Sequence, residues 1–381
     1  MKLSRSIKVA VVALAAAAVA TQTAFAAVSI QAGGSSFDAN LLNACKVAWQ
    51  NTTGNTFTYN SSDSGTGQKN QDAGIFEANF SDSGYAPAKA SVLNIPLVMA
   101  PIAVIYNLPG NKDLYLSEST LSDIFAGKIT KWNDPAIVAD NNRSTTKIVY
   151  MKNSDGSLKK DAKGDPIVLR TQNVKSTFIL PDKKIQVIYR SDSSGTTENF
   201  TNYLNKSAPS VWTKAKNKVF SAGFPGNIND VANLGRIVGA ASSTGVSQLA
   251  GKTPYSITYA EVNYAKANKL KIANLINPAG SSVAPDSSGV GAFLSSASQD
   301  ANGWLTYDYA TKEKGAYPLG IVSYLLADTK SGDKTTAAAV ADFAKFILSP
   351  ACSKTVGEPL GFSVIDGDLL KKSLAQVAKI G

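Results

Sequence analysis

A cluster of hydroxyl side chains beside an arginine lies between an apolar run and a helical pattern. The run, residues 185–189, predicts a short strand, and the helical pattern has its apolar face at Phe200, Tyr203 and Leu204. The polar residues between them are Arg190, Ser191, Asp192, Ser193, Ser194, Gly195, Thr196 and Thr197.

These residue types suit the binding of an oxyanion. The first N–H groups of a helix lack intrahelical partners, and the helix dipole favours negative charge there. Arg190 adds a fork of five donors, and Asp192 stands two residues away to hold that fork in place. The alternative is an ordinary N-cap, which Ser, Thr and Asp commonly form. A cap needs one such residue, so the crowding favours an oxyanion cradle.

The absence of histidine limits the chemistry further. Without histidine, Ser193 and Ser194 have no imidazole base of the kind that activates a serine nucleophile, and zinc sites with histidine ligands are excluded. We therefore expect a binding protein that is not an enzyme.

The N-terminus predicts export. Lys2, Arg5 and Lys8 precede an apolar stretch at residues 9–20, and residues 24–26 form an A-x-A cleavage motif. We therefore expect residues 1–26 to be a signal peptide cleaved near Ala26, and the mature protein to be periplasmic or secreted. The sequence leaves open whether that compartment is a periplasm or the outside of a single-membrane cell.

Composition restricts partners and cofactors. The formal net charge is +10, but no Lys/Arg run with interleaved aromatics indicates a nucleic-acid surface. The two cysteines, Cys45 and Cys352, fit no metal site, and either a disulfide or two buried thiols is compatible with an exported protein. A chain of 381 residues suggests two domains, with one large domain as the alternative.

The elements that must position the cradle follow a repeated order. Strand, Ser/Gly turn and helix occur at residues 28–49, 56–78 and 185–204, which indicates an α/β fold with largely parallel sheets. Ligands of such sheets bind beyond the carboxyl ends of the strands. The apolar run at 97–106 predicts a buried strand that could cross between domains, and residues 141–184 predict a polar surface hairpin or loop.

Several longer motifs resemble the phosphate-binding protein family of the high-affinity phosphate ABC importer. The resemblance covers nearly the whole mature chain. It is carried by Q-A-G-G-S-S-F at 31–37, the loop at 59–67, I-F-A-G-K-I-T-K-W-N-D-P-A-I at 124–137, the loop at 190–203, and the segments 257–262 and 317–326.

The resemblance implies a set of phosphate-binding residues. They come from three turns and from an aspartate in the segment at 79–87, with Asp192 fixing the arginine: Ser36, Phe37, Ser64, Asp82, Arg190, Ser194, Gly195 and Thr196. Ser36 stands where the family usually has Thr, and Ser193 where Gly is common. The segment around Asp82 lacks the family's preceding Gly, and its Pro lies further downstream.

A carboxylate at Asp82 would distinguish between oxyanions. It repels a fully ionised anion but accepts a hydrogen bond from one that still carries a proton, as phosphate does and sulphate near neutral pH does not. A site built around a ligand hydrogen rejects an analogue without it by roughly 10⁴. The alternative is a loop aspartate that makes a local turn bond.

The resemblance further implies a two-lobed α/β solute-binding protein of the Venus-flytrap type with a ligand cleft between lobes. Lobe one would comprise residues 27–104 and 316–381, and lobe two residues 105–315. The expected protein is a monomer that takes inorganic phosphate to a membrane ABC permease, without cofactor. The alternatives are a binder of arsenate, sulphate or molybdate, and a secreted phosphatase-like or adhesive relative.

Overall fold

The computed structural model describes residues 27–110, 113–142, 144–155, 157–175, 179–300 and 303–381. The predicted signal peptide, residues 1–26, lies outside these ranges. Within them, none of the helices has both the length and the apolar character that crossing a bilayer requires.

The strands follow the predicted pattern in the first part of the chain and extend it. In chain order they are β1 (Ser29–Ser35), β2 (Thr56–Ser62), β3 (Ala78–Ser81), β4 (Val92–Tyr106), β5 (Tyr115–Ser117), β6 (Ser144–Tyr150), β7 (Val168–Lys175), β8 (Gln186–Arg190), β9 (Ile237–Ala240), β10 (Ser256–Glu261), β11 (Lys271–Ile272), β12 (Asn274–Ile276), β13 (Ser281–Val283), β14 (Ser298–Gln299), β15 (Leu305–Thr306) and β16 (Gly320–Asp328).

The helices alternate with these strands, and a π-helical turn at Ser353–Gly357 separates two short ones near the C-terminus. They are α1 (Ala39–Thr53), α2 (Ser64–Ala73), α3 (Glu118–Phe125), α4 (Pro135–Asn141), α5 (Gly195–Ser207), α6 (Phe220–Gly223), α7 (Ser242–Lys252), α8 (Val262–Ala267), α9 (Ser287–Leu294), α10 (Lys334–Leu348), α11 (Pro350–Cys352), α12 (Glu358–Leu360) and α13 (Gly367–Val377). The Ser/Gly-rich stretch at residues 60–67 predicts a helix that begins at Gln68, but α2 begins at Ser64, because the Asp63 side chain caps it by accepting from the Thr66 N–H.

The long strand β4 joins two halves of one sheet. In the described chain that sheet has nine strands in the order β2-β1-β3-β16-β4-β10-β8-β9, with β11 also on β4. Residues 92–101 of β4 pair with β16, and residues 102–106 pair with β10. We call the strands on the β16 side the first half-sheet and those on the β10 side the second half-sheet. The buried strand predicted at 97–106 is therefore confirmed, as the second part of β4.

Strand direction differs between the edges and the centre. The pairs β1–β2, β1–β3, β8–β9 and β8–β10 are parallel, as the strand–turn–helix pattern predicts. The central pairs β3–β16, β16–β4 and β4–β10 are antiparallel. The prediction of largely parallel sheets is wrong at the centre, because β4 and β16 are not joined to their neighbours by simple strand–helix–strand units.

Both faces of β4 are covered, which explains its continuous apolar sequence. Ile102, Val104 and Tyr106 belong to the main core, whereas Ala103 and Ile105 pack into a smaller cluster with α7 and α8. Alternate residues of a strand point to opposite faces, so each face has its own core.

The polar excursion at 141–184 forms a hairpin of β6 and β7. It extends a smaller sheet of the described residues, which has the order β5-β12-β13-β6-β7. The expectation of a surface hairpin is confirmed, and the hairpin is anchored because β6 pairs with β13.

A disulfide joins Cys45 to Cys352. Of the two alternatives that the sequence left open, the structure contains the bonded pair. Both side chains are buried, in α1 and α11, and 307 residues separate them. The bond therefore ties the first helix to the C-terminal helices that pack on the same half-sheet.

Candidate functional site

The predicted cradle lies where β8 ends and α5 begins. Arg190 is the last residue of β8, and Ser194 is the N-cap of α5. The Ser194 hydroxyl accepts a hydrogen bond from the Thr197 N–H at 3.2 Å. Ser194 is thus a true cap, while the N–H groups of Gly195 and Thr196 lie in the first turn, where no intrahelical acceptor is available.

The guanidinium of Arg190 is buried and held in a fixed orientation. Its Nε donates to Asp192 Oδ1 at 2.7 Å, and its Nη2 donates to Asp192 Oδ2. The remaining nitrogen, Nη1, donates to Ser243 Oγ at 3.2 Å. Burial alone raises the pKa of Asp192, but hydrogen bonding and the charge of Arg190 outweigh it and lower that pKa below its usual value. The pair is therefore ionised, as the predicted role of Asp192 requires.

Ser36, Phe37 and Ser64 line the opposite side, on the first half-sheet. Ser36 Oγ accepts a hydrogen bond from the Ser243 N–H at 3.2 Å, across the cleft. Phe37 is fully buried and packs edge-on against Phe362, so its side chain serves the core. Ser64 Oγ accepts from the Asp82 N–H at 3.1 Å.

Asp82 follows β3 and bridges the two halves. Its Oδ1 accepts from Ser323 Oγ at 2.9 Å, and its Oδ2 accepts from Thr196 Oγ1 at 3.0 Å. Its backbone carbonyl accepts from Asn199 Nδ2 at 2.8 Å. Ser323 and Thr196 are 241 and 114 residues away in sequence, so Asp82 is not making only a local turn bond.

The two halves approach each other closely at this point. A Cβ added at Gly195 would lie 2.5 Å from Ser64 Oγ and 2.8 Å from Asp82 Cβ. Glycine is therefore the residue type that allows the start of α5 to contact the first half-sheet. The structure brings all of the residues proposed from the motifs to one buried place between the two half-sheets.

Several helices point their N-termini at this place. Ser36 lies in the turn just before α1, Ser64 is the first residue of α2, Gly195 is the first of α5, and Ser243 is the second of α7. The partial positive charge of each N-terminus and its free N–H groups favour a bound anion.

Sequence reasoning missed four polar residues at the site. Ser323 is the one serine within the largely apolar sequence of β16, a contrast that distinguishes the position but does not indicate its partners. Ser243 follows β9 in a Ser/Gly turn of the same kind as the three that were recognised. Asp38 and Glu261, at the starts of α1 and α8, left no pattern that distinguishes them from ordinary caps.

The site is rich in buried carboxyl groups. Burial, and then the charge of Asp82, raises the pKa of Asp38 well above its usual value. Burial also raises the pKa of Asp82, but hydrogen bonds from Ser35, Ser323 and Thr196 and the charge of Arg190 oppose that rise. Burial raises the pKa of Glu261 to about 8. Among the described residues, no group of three or more acidic or cysteine side chains is arranged to hold a metal ion.

A cavity of about 400 Å³ adjoins the site on one side. Asp82 and Ser83 form part of its wall, together with Trp304, Tyr307 and Tyr309. Lys216 lies at its edge, paired with Glu198 at 2.6 Å and placed 4.9 Å from the ring centre of Trp304. Asp82 therefore borders this cavity as well as the cradle.

Comparison with known proteins agrees with this arrangement. A family model described as the PBP superfamily domain matches residues 19–351. The phosphate-binding protein PstS3 of Mycobacterium bovis is 32% identical over 331 residues, which cover 83% of this chain and 77% of that protein. The chain belongs to the phosphate-binding protein family.

Other relatives support the same assignment. The phosphate-binding protein PstS of Xylella fastidiosa is 30% identical over 330 residues, covering 84% of this chain and 77% of that protein. A putative phosphate ABC transporter substrate-binding protein from Clostridium perfringens, solved with bound phosphate, superposes with a TM-score of 0.55 at 14% identity. That alignment covers 89% of this chain and all of the other. At this identity it shows the two-lobed fold of this family and nothing about individual residues.

Proposed function

We propose that this protein binds inorganic phosphate between its two half-sheets and delivers it to an ABC permease. The observation that carries the proposal is the pairing of two buried groups of opposite character. Arg190, fixed by Asp192, supplies donors from one side, while Asp82, held by Ser64 and Ser323, supplies an acceptor from the other. A protonated oxyanion uses both.

Phosphate fits this combination because its monoanion and dianion both keep at least one O–H group. In the structure, Asp82 Oδ2 accepts a hydrogen bond from Thr196 Oγ1. We propose that the ligand O–H donates to this carboxylate, while Ser36, Ser64, Arg190 and the N–H groups of the first turn of α5 bind the other oxygens. Sulphate would place an oxygen against the carboxylate with no hydrogen between them, in a site that excludes water.

The same chemistry favours arsenate over other competitors. Arsenate carries protons near neutral pH in the same way as phosphate, so Asp82 gives no basis for rejecting it. Sulphate and molybdate are fully ionised under these conditions, and both would meet the acceptor conflict. We therefore place arsenate first among alternative ligands.

Transport requires that the bound state be distinguishable from the free one. We propose that lobe one comprises residues 27–104 and 316–381, and lobe two residues 105–315. Contacts such as the Gly65 N–H to the Ser193 carbonyl at 3.0 Å join the two sides, and a ligand held from both sides favours the closed state. The closed monomer would then dock on the permease, outside the cytoplasm and after cleavage near Ala26, without chemical change to the ligand and without binding nucleic acid.

Calorimetric titration of the mature protein, stripped of ligand, tests the proposal. We expect one phosphate to bind per chain and sulphate to give no heat at the same concentration near neutral pH. Equal binding of both anions would contradict the role of Asp82, and binding of neither would contradict the function. Glu313→Gln, which changes an exposed carboxylate away from the cleft, serves as a control and should bind as wild type does.

A further inference from the structure

Asp38 is a buried carboxyl group that oxyanion binding does not require. It directly precedes α1 and is fully inaccessible to solvent. Although it occupies the N-cap position, its side chain makes no capping hydrogen bond. A buried charge near a bound anion opposes binding, so the presence of this carboxyl group needs an explanation.

Ser323 connects Asp38 to Asp82. A register shift between Ser323 and Tyr324, where β16 pairs with β4, accompanies the placement of this hydroxyl at the cleft. Ser323 Oγ lies 2.8 Å from Asp38 Oδ2 and 2.9 Å from Asp82 Oδ1. Both distances are those of good O–H···O hydrogen bonds.

Counting protons constrains the charges of this trio. A serine hydroxyl has one hydrogen to donate, and its second interaction must be as an acceptor. An ionised carboxylate can only accept. If Asp38 and Asp82 were both ionised, one of the two contacts would set acceptor against acceptor in a buried place. One of the two carboxyl groups must therefore carry a proton on the oxygen that faces Ser323.

The surroundings decide which of the two carboxyl groups holds the proton. Asp82 accepts hydrogen bonds from Thr196 and Ser323. It also interacts with the positive charge of Arg190, so several contacts favour its charged form. For Asp38, the contact with Ser323 is the one side-chain hydrogen bond that favours charge, and burial and the nearby Asp82 and Glu261 outweigh it.

We propose that Asp38 is a neutral carboxylic acid whose O–H donates a hydrogen bond to Ser323 Oγ. Ser323 in turn donates a hydrogen bond to Asp82. Asp38 and Ser323 are thus positioning residues for the carboxylate that selects the ligand. The proposal rests on the proposed function for its consequence in binding, whereas the location of the proton is a property of the ligand-free protein.

The relay has two effects on selectivity. It occupies Oδ1 of Asp82 with a donor, so a ligand O–H is accepted at Oδ2, the oxygen that also accepts from Thr196 Oγ1. It also provides a buried hydrogen-bond donor to Asp82 without adding a second negative charge next to the anion. A carboxylate at Asp38 would instead repel the ligand.

Two substitutions at Asp38 separate this role from simple packing. Asp38→Asn keeps the shape and replaces the acid O–H with an amide N–H donor, so we expect phosphate affinity within about threefold of wild type. Asp38→Ala removes the donor and leaves Ser323 free to turn away from Asp82, so we expect a loss of roughly tenfold. In a Ser323→Ala background, Asp38→Ala should cause no further loss beyond about twofold.

Other results would overturn the proposal. If Asp38 were an anion, Asp38→Asn would remove a repulsive charge and raise phosphate affinity by roughly tenfold. Equal losses in the Asn and Ala variants would also contradict a donor role, as would wild-type affinity in both. Calorimetry with phosphate, with sulphate as the second ligand, distinguishes these cases.

Infrared difference spectroscopy locates the proton without any ligand. A protonated carboxyl group has a carbonyl band that a carboxylate lacks, so the spectrum of wild type minus Asp38→Asn should contain that band near neutral pH. The difference between wild type and Asp82→Asn should lack it. The reverse pattern would place the proton on Asp82 and refute the proposal. If wild type bound no phosphate, the proposed function would fail while this measurement still decided the state of Asp38.

Discussion

The two sides of the cleft achieve their chemistry in different ways. On the second half-sheet, Arg190, Asp192, Ser194 and Thr196 come from one continuous stretch, and the arginine is held by a neighbour two residues away. On the first half-sheet, Asp82 is held by Ser64 and Ser323, which lie 18 and 241 residues away. One side is a local motif, and the other is assembled by the fold.

The two sides also differ in charge. The second side presents donors, namely the guanidinium and the first N–H groups of α5. The first side presents an acceptor, Asp82, backed by Asp38 through Ser323. A ligand that contacts both sides must offer oxygen lone pairs to one side and a hydrogen to the other. We therefore propose that selectivity arises on the first side, whereas general affinity for oxyanions arises on the second.

Removing the acceptor should produce the largest effect on selectivity. Asp82→Asn replaces a charged acceptor with a neutral amide that can donate to a sulphate oxygen, so phosphate binding weakens and sulphate binding improves. We expect the phosphate-to-sulphate affinity ratio to fall by as much as roughly 10⁴. Paired calorimetric titrations at one pH measure this ratio.

A charge-matched control distinguishes chemistry from net charge. Asp161→Asn makes the same change in the exposed hairpin, where Asp161 Oδ1 accepts from the Lys163 and Asp165 N–H groups. The phosphate-to-sulphate affinity ratio of Asp161→Asn should equal that of wild type. An unchanged ratio in Asp82→Asn would mean that another residue selects phosphate over sulphate.

Removing the principal donor should weaken all oxyanions together. Arg190→Ala deletes the buried guanidinium and leaves Asp192 partly buried without its partner, which costs about 3–5 kcal/mol for a buried ion pair. We expect phosphate affinity to fall by roughly 10²–10³, with sulphate binding undetectable as well.

Fluorescence-detected or calorimetric titration of Arg190→Ala checks this expectation, with circular dichroism to verify folding. Arg170→Ala, at an exposed position of β7, is the matched control and should bind as wild type does. Selective loss of phosphate with retained binding of another oxyanion would contradict the division of roles between the two sides.

A single methyl group should impede contact between the two sides. In Gly195→Ala the new Cβ would lie 2.5 Å from Ser64 Oγ and 2.8 Å from Asp82 Cβ, so α5 or the facing segment around Asp82 must shift. Overpacking of this kind typically costs 1–3 kcal/mol, and we expect phosphate affinity to fall by roughly tenfold to a hundredfold. Gly291→Ala, in α9, has nothing within 4 Å of its Cβ and should leave affinity unchanged. Wild-type affinity in Gly195→Ala would mean that closure does not need this contact.

The same contrast explains how much the sequence could predict. The second side is contiguous, so its residues could be recognised from one motif and the chemistry of a helix N-terminus. On the first side, Asp82 was assigned by resemblance, and Ser323 was missed because a serine within an apolar strand carries no sign of its partners. Its role depends on β16 pairing between β3 and β4, and an antiparallel pairing across 241 residues leaves no local pattern.

Strand order was likewise beyond local reasoning. The repeated strand–turn–helix units correctly predicted the parallel pairs at both edges of the large sheet. The antiparallel centre arises because β4 is long enough to pair with β16 and then with β10, and pairing partners are chosen by packing of the whole chain. The start of α2 was misplaced for a local reason, since Ser64, Gly65 and Gly67 are poor helix formers that Asp63 stabilises as a cap.

Glu261 provides the smallest expected effect on binding and a distinct effect on stability. Burial raises its pKa from 4.5 to about 8, although the charge of Arg190 opposes the rise. Between these two pH values the folded chain keeps a proton that the unfolded chain releases, so stability falls as pH rises from about 4.5 to about 8 and levels off above.

Glu261→Gln should leave phosphate affinity within about twofold, because the amide oxygen can still accept a hydrogen bond from Ser243. The substitution should also remove a pH-dependent loss of stability on the order of a few kcal/mol. Urea unfolding of the ligand-free protein across this pH range, with Glu313→Gln as the exposed control, measures it. A pH profile identical to that of wild type would mean that Glu261 is already ionised beside Arg190, and the second side would then hold one more negative charge than its donor role allows.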